Sequence, residues 1–247
     1  MNTVRSEKFR ILVVGDVVSN SQALSAEVVG LQIPPTRIRE MPQFGGAANI
    51  ARIAAGLGAM VGFLLLSQVD VATRLRQISH FHLLLPQYDV IIFSEYRHCA
   101  LIDLNDMVTS ARRLGKRVLV DLDGGEFGAF TGASLMTSDV GTLRRLIGAW
   151  HNERELAIKM ARLLSGSKCE GFLVNHHESG ISLYVPGGAI HFANMVRCDR
   201  HYLLAIVAAT LKTGISIPMG VSEASDRFDP ATADSELDMS CQEITPS

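Results

Sequence analysis

The chain has 247 residues, 47% of them hydrophobic and 6% aromatic, with a mean hydropathy of +0.21, enough for one large domain with a substantial core and tight for two. A formal net charge of −2 excludes the strong field of a nucleic-acid or membrane-surface binder. No stretch offers about 18 consecutive uncharged apolar residues, so no bilayer-spanning helix is expected.

The first predicted strand is Arg10–Gly15 (RILVVG), followed by Asp16. The chain is less regular from Val17 to Phe44, where Pro34-Pro35 breaks it and Pro35–Met41 alternates like a partly exposed strand. Gly45-Gly46 opens an alanine-rich helix over Ala47–Leu57, ended by Gly58. Val61–Leu66 is a buried strand, and Thr73–Leu85 mixes polar and apolar residues in near alternation, so it reads as an exposed strand or a short helix. Strand Asp89–Ser94, helix Leu104–Leu114 and strand Arg117–Asp121 follow, then a short strand Leu135–Thr137 and a helix Thr142–Ile147. Glu153–Ser165 is an amphipathic helix, Gly171–Asn175 a strand, and Ile181–Val185 pairs with Ile190–Phe192 through the Pro186-Gly187-Gly188 turn. His201–Thr213 is an apolar helix closed by Gly214. Strands alternating with helices imply a mostly parallel sheet covered on both faces, with ligands at the carboxyl ends of its strands. Asp16, Ser94-Glu95, Asp121 and Asn175 all stand at such ends.

Charge is distributed unevenly. From Pro218 to Ser247 there are seven acids and one base, a net −6 that leaves +4 on the body before it. This segment has no apolar period, so the sequence divides into a domain over 1–217 and an acidic, disordered tail over 218–247. Four cysteines, Cys99, Cys169, Cys198 and Cys241, form no CxxC pair, and the short apolar run at the start leads into a turn; both favour free thiols and a cytoplasmic location.

Two runs, Ile11–Asp16 (ILVVGD) and Phe44–Ala59 (FGGAANIARIAAGLGA), resemble the ribokinase/PfkB family of carbohydrate kinases. The likeness is greatest to the kinase domain of bacterial heptose-7-phosphate kinase/ADP-heptose synthase enzymes. Further pieces follow in family order: Thr73–Leu84 as a lid strand region, Asp89–Tyr96, Ala111–Asp121, Gly132–Thr137, Phe172–Leu183 and Ala205–Gly214. The resemblance spans roughly residues 9–214 and implies an α/β three-layer sandwich with a reduced lid, shortened between residues 70 and 73. It implies that Gly45, Gly46, Asn49 and Asp16 stand where the family contacts a sugar; the glycines read equally as a tight turn into a closely packed helix.

The family's chemistry sits in a Gly-Ala-Gly-Asp turn at a helix N-terminus, whose amides form an anion hole and whose Asp takes the hydroxyl proton. Counting back from Ala205–Gly214 places Cys198-Asp199-Arg200 on the glycine turn and His201 on the Asp. Three side chains then crowd the hole. His201 or Asp199 would be the base if the chain is active, and Arg197, Arg200, Asp121 and Asp139 are vestiges of the phosphate and nucleotide side. Where relatives carry an Asn and a Glu, three apart, this chain has Asp139 and Thr142.

Histidine pairs at His176-His177, His80/His82 and the His98-Cys99 doublet lack zinc-site spacing, and adjacent histidines on a strand point to opposite faces, so no metal site is expected. Asp121 and Asp123 read as a strand-end turn or a paired-carboxylate magnesium site, and Cys198 beside Arg197 and Arg200 as a thiol of lowered pKa. The expectation is a catalytically degenerate sugar-kinase fold without a cofactor, serving as a structural or regulatory subunit. Its partner, a protein or a second copy, would bind through the lid, an exposed sheet edge or the tail. The alternatives are a divergent sugar-phosphate kinase using ATP and magnesium, and a sugar-binding sensor without phosphoryl transfer.

Overall fold

The computed structural model describes residues 9–15, 45–66, 71–94, 103–122, 127–211 and 215–228. Eight strands form one sheet: β1 (Arg10–Gly15), β2 (Met60–Leu65), β3 (Val90–Ser94), β4 (Arg117–Asp121), β5 (Leu135–Asp139), β6 (Gly171–Asn175), β7 (Ile181–Val185) and β8 (Gly188–Phe192), in the order β2-β1-β3-β4-β5-β6-β7-β8. The first six are parallel and the last two antiparallel. Ile11, Leu12, Val13, Ile91 and Ile92 are fully buried, so both faces of these strands are covered and apolar runs replace alternation.

Seven α-helices cover the sheet among the described residues: α1 (Gly45–Gly56), α2 (Val71–Leu84), α3 (Leu104–Arg113), α4 (Val140–Ile147), α5 (Glu153–Ser167), α6 (Arg200–Thr210) and α7 (Ile217–Arg227). Helices α1, α6 and α7 pack on the face that carries Ile11, Val13 and Leu119. Helices α2, α3, α4 and α5 pack on the face that carries Leu12, Val14 and Val120. The result is the three-layer α/β sandwich expected from the sequence. Among the described residues no helix is long and apolar enough to cross a membrane.

Two expectations need correction. Residues 73–84, matched to a lid strand, lie in helix α2, which buries Gln77, Phe81 and Leu84 at helical spacing. Residues 67–70, beside the expected shortening, lie outside the described residues. Pro218, placed at the start of a disordered tail, lies in the first turn of α7, where a missing N–H costs nothing. Ile217, Val221 and Ala224 on that helix enter the core, and Thr210 Oγ1 donates to Gly220 O at 2.7 Å, so the packed body runs past 217. Asn194 adds a reciprocal pair with Ser225, donating to its carbonyl at 3.0 Å and accepting from its hydroxyl at 2.8 Å. Residues 229–247, the rest of the expected tail, lie outside the described residues.

Candidate active site at the carboxyl ends of the strands

Strand register aligns Gly15, Ser94, Asp121 and Thr137 in one row across β1, β3, β4 and β5. Side chains alternate along a strand, so Ser94 and Asp121 face the same way as Ile92 and Leu119, towards α1 and α6. The approach of α1 is close: a Cβ on Gly15 would lie 2.6 Å from the Ala47 Cβ and 2.7 Å from the Ser94 carbonyl oxygen. A Cβ on Gly46 would lie 2.9 Å from both His201 Nε2 and Ser94 Oγ. The glycine at the start of α1 therefore adjoins the residue aligned with the family's base. Gly45 opens the helix, Asn49 follows in its first turns and is half-buried, and Asp16 lies outside the described residues.

Asp121 is fully buried, and a buried carboxylate needs compensation. Ser94 Oγ donates to its Oδ2 at 3.3 Å. Arg200 Nε stands 3.6 Å from Oδ1 and His201 Nε2 3.6 Å from Oδ2, ion-pair separations rather than hydrogen bonds. The other ring nitrogen of His201, Nδ1, is 3.5 Å from Asp199 Oδ1. The imidazole thus stands between two carboxylates, and Nε2 has no hydrogen-bond partner among the described residues.

The N-terminus of α6 is closed by a side chain of its own. Asp199 is the N-cap, in extended backbone, and its Oδ1 accepts from the amides of His201 at 2.8 Å and Tyr202 at 3.1 Å. Two of the first-turn amides that would cradle an anion are therefore held by the chain's own carboxylate. The preceding residue, Cys198, is buried, and burial followed by the neighbouring Asp199 charge pushes its thiol up to about 12. The reading of Cys198 as an acidified thiol is corrected: burial and the Asp199 charge both raise it, and Arg197 is turned to Glu178.

Arg197 does not join the cluster. It takes a left-handed backbone, φ 56°, and its Nε donates to the Glu178 carboxylate at 3.0 Å and 3.1 Å on the exposed surface. The turn before α6 is held from the other side by Asn175, whose Nδ2 donates to the Cys198 carbonyl at 2.7 Å and whose Oδ1 accepts from His177 N at 2.8 Å.

Asp139 is a cap as well. At the end of β5, its Oδ1 accepts from Thr142 N at 2.6 Å at the start of α4. Burial pushes this carboxyl up, but the Thr142 amide and hydroxyl and the charges of Arg200 and Arg145 together hold it below its ordinary value. The expected nucleotide vestiges Asp121, Asp139 and Arg200 are thus brought together with His201. Sequence reading missed Thr137 and Ser138, whose buried hydroxyls have no hydrogen-bond partner among the described residues. A strand taken to end at Thr137 hid them. The capping role of Asp199 was legible in an Asp placed just before an apolar helix.

No family model matches the chain. It is 31% identical over 237 residues to the bifunctional protein HldE of Aeromonas hydrophila, an alignment covering 73% of this chain and 50% of that protein. The chain thus spans about half the length of such curated relatives. An uncharacterized sugar kinase of Buchnera aphidicola is 24% identical over 268 residues, covering 84% of this chain and 85% of the relative. Among solved structures, phosphofructokinase-2 from Escherichia coli in complex with fructose-6-phosphate superposes with a TM-score of 0.61 at 12% identity, covering 94% of each chain. By sequence and by fold, the chain belongs to the ribokinase/PfkB family of kinases.

Proposed function

We propose that this chain is a sugar-kinase-fold protein that has given up phosphoryl transfer and acts as a structural or regulatory subunit of a larger assembly. One observation carries the reading: the Asp199 carboxylate occupies the first-turn amides of α6. A phosphate entering there must displace a tethered anion from its hydrogen bonds and then bear the repulsion of that anion nearby. The Arg200 cation is committed as well, since it faces the buried Asp121, as does the His201 ring. Phosphoryl transfer depends almost entirely on positioning and charge stabilisation, and both are redirected inward here. The sheet edge at β8 is exposed along Gly188–His191 and offers unpaired backbone to a protein partner or a second copy.

A second reading, a divergent ATP-dependent sugar-phosphate kinase requiring magnesium, draws on a different observation. His201 Nε2 lies against Gly46, where a sugar hydroxyl would stand in the family, and Asp121 backs the ring. That is the arrangement of an oriented imidazole base. Purified full chain assayed with ATP–magnesium and a panel of sugar phosphates separates the readings. The first expects no sugar-dependent ADP formation and no stabilisation by ATP–magnesium. Turnover in the unaltered chain that His201→Ala abolishes would replace it with the second.

A further inference from the structure

Outside this site, two histidines 15 residues apart converge on one hydroxyl. His176 follows β6, and its Nε2 lies 2.9 Å from Ser182 Oγ on β7. His191 on β8 pairs in register with Ser182, and its Nδ1 lies 3.0 Å from the same oxygen. The ring centroids are 6.1 Å apart with planes at 60°. Ser182 is 8% exposed, His176 half-buried and His191 exposed, so the pair has a rigid floor and an open side.

From this geometry we propose that His176 and His191 form a cross-strand chelate for a divalent transition-metal ion of the zinc class. Two imidazoles on one zinc, with bonds of about 2.0–2.1 Å in tetrahedral geometry, bring their centroids to about 5 Å. The observed separation is 6.1 Å, so ligation requires the two rings to draw together. The nitrogens that face Ser182 are the ligating atoms, and the hydroxyl or solvent completes the coordination. Imidazole nitrogen selects zinc, nickel or copper over magnesium. The Tyr184 side chain on β7 also bonds Ser182, and Glu153 at the start of α5 lies near that tyrosine.

Among the described residues no group of three or more His, Cys, Asp or Glu could hold a metal ion, so the site is a two-histidine clamp with open positions. Such a clamp joins β6 to the terminal strand β8 across β7, fixing the edge of the sheet.

Calorimetric titration of the intact chain with Zn²⁺ and with Ni²⁺ near neutral pH tests this, with Mg²⁺ as the control ion. One equivalent is expected to bind, with affinity lowered about tenfold or more by His176→Gln and by His191→Gln alike, and lost on acidification as protons compete for the nitrogens. His151→Gln, at an exposed histidine on α5's approach, is expected to leave binding unchanged. Imidazole resonances of His176 and His191 should move together on adding Zn²⁺, and matching circular dichroism spectra establish that the variants fold. Binding that survives both glutamine variants, or no binding by the unaltered chain, overturns the proposal.

Discussion

Two helix N-termini meet at the same edge of the sheet, and they are built in opposite ways. Helix α1 opens on Gly45-Gly46, so its first turn brings bare backbone against Ser94 and His201. Helix α6 opens on Arg200-His201, and its first turn is closed by the Asp199 carboxylate. At α1 the absence of a Cβ on Gly46 lets His201 and Ser94 approach the backbone, whereas at α6 the first-turn amides are taken up by the Asp199 side chain. A helix N-terminus binds an anion only if the chain does not supply that anion itself.

The largest effect that would break this contrast is expected at Asp121, the carboxylate both halves share. Asp121→Ala takes from the Arg200 guanidinium the carboxylate it faces and should cost about 3 kcal/mol in denaturant unfolding, the lower end for a broken buried pair because Arg200 retains some exposure. Gly46→Val comes next. Its Cβ must push aside His201 and Ser94, for a loss of about 2 kcal/mol by the same measurement. A fully tolerated valine would mean that α1 does not press on α6 as described.

Asp139→Ala and Asp199→Ala compare two caps directly, each expected to lose about 1 kcal/mol at neutral pH. The Asp139 carboxyl is held below its ordinary value of 3.8, so the native state binds protons less readily than the unfolded chain. Its contribution is therefore present above that ordinary value and lost as pH falls through the lowered one. The gap between Asp139→Ala and the unaltered chain should close on acidification, read from urea midpoints at a series of pH values.

The smallest effect concerns the thiols. Burial pushes Cys169 up to about 11 and Cys198 to about 12, with the hydrogen bond to Gly171 O opposing it at Cys169 and the Asp199 charge adding to it at Cys198. Iodoacetamide at mildly alkaline pH, followed by peptide mass spectrometry, should leave both unlabelled until the chain is denatured. Rapid native labelling of Cys198 would show that the turn before α6 opens.

Much of the sheet could be read directly from the sequence. Ile11–Val14 and Val90–Phe93 are continuous apolar runs bounded by polar strand ends, and they form the buried parallel strands. Helix α2 was ambiguous because Gln77, a polar residue, stands on its buried face beside Phe81 and Leu84 and blurs the helical period. Helix α7 was misread for a related reason. Its buried stripe, Ile217, Gly220, Val221, Ala224 and Ser225, has helical spacing, but small and polar members hide it among acids. At the site, an Asp standing before an apolar helix signals the Asp199 cap, but the convergence of Ser94, Asp121, Arg200 and His201 depends on strand register and helix packing. The pairing of His176 with His191 depends on hairpin register and joins residues 15 apart, beyond any local spacing rule.

The most direct test of the central claim follows the His201 and Tyr202 amide resonances while inorganic phosphate or ATP–magnesium is added to the full chain and to Asp199→Ala. These two amides should stay fixed in the unaltered chain and shift in a saturable way once Asp199 is removed. Saturable shifts in the unaltered chain at the same ligand concentrations would contradict the account, because they would mean that the N-terminus of α6 is open to phosphate.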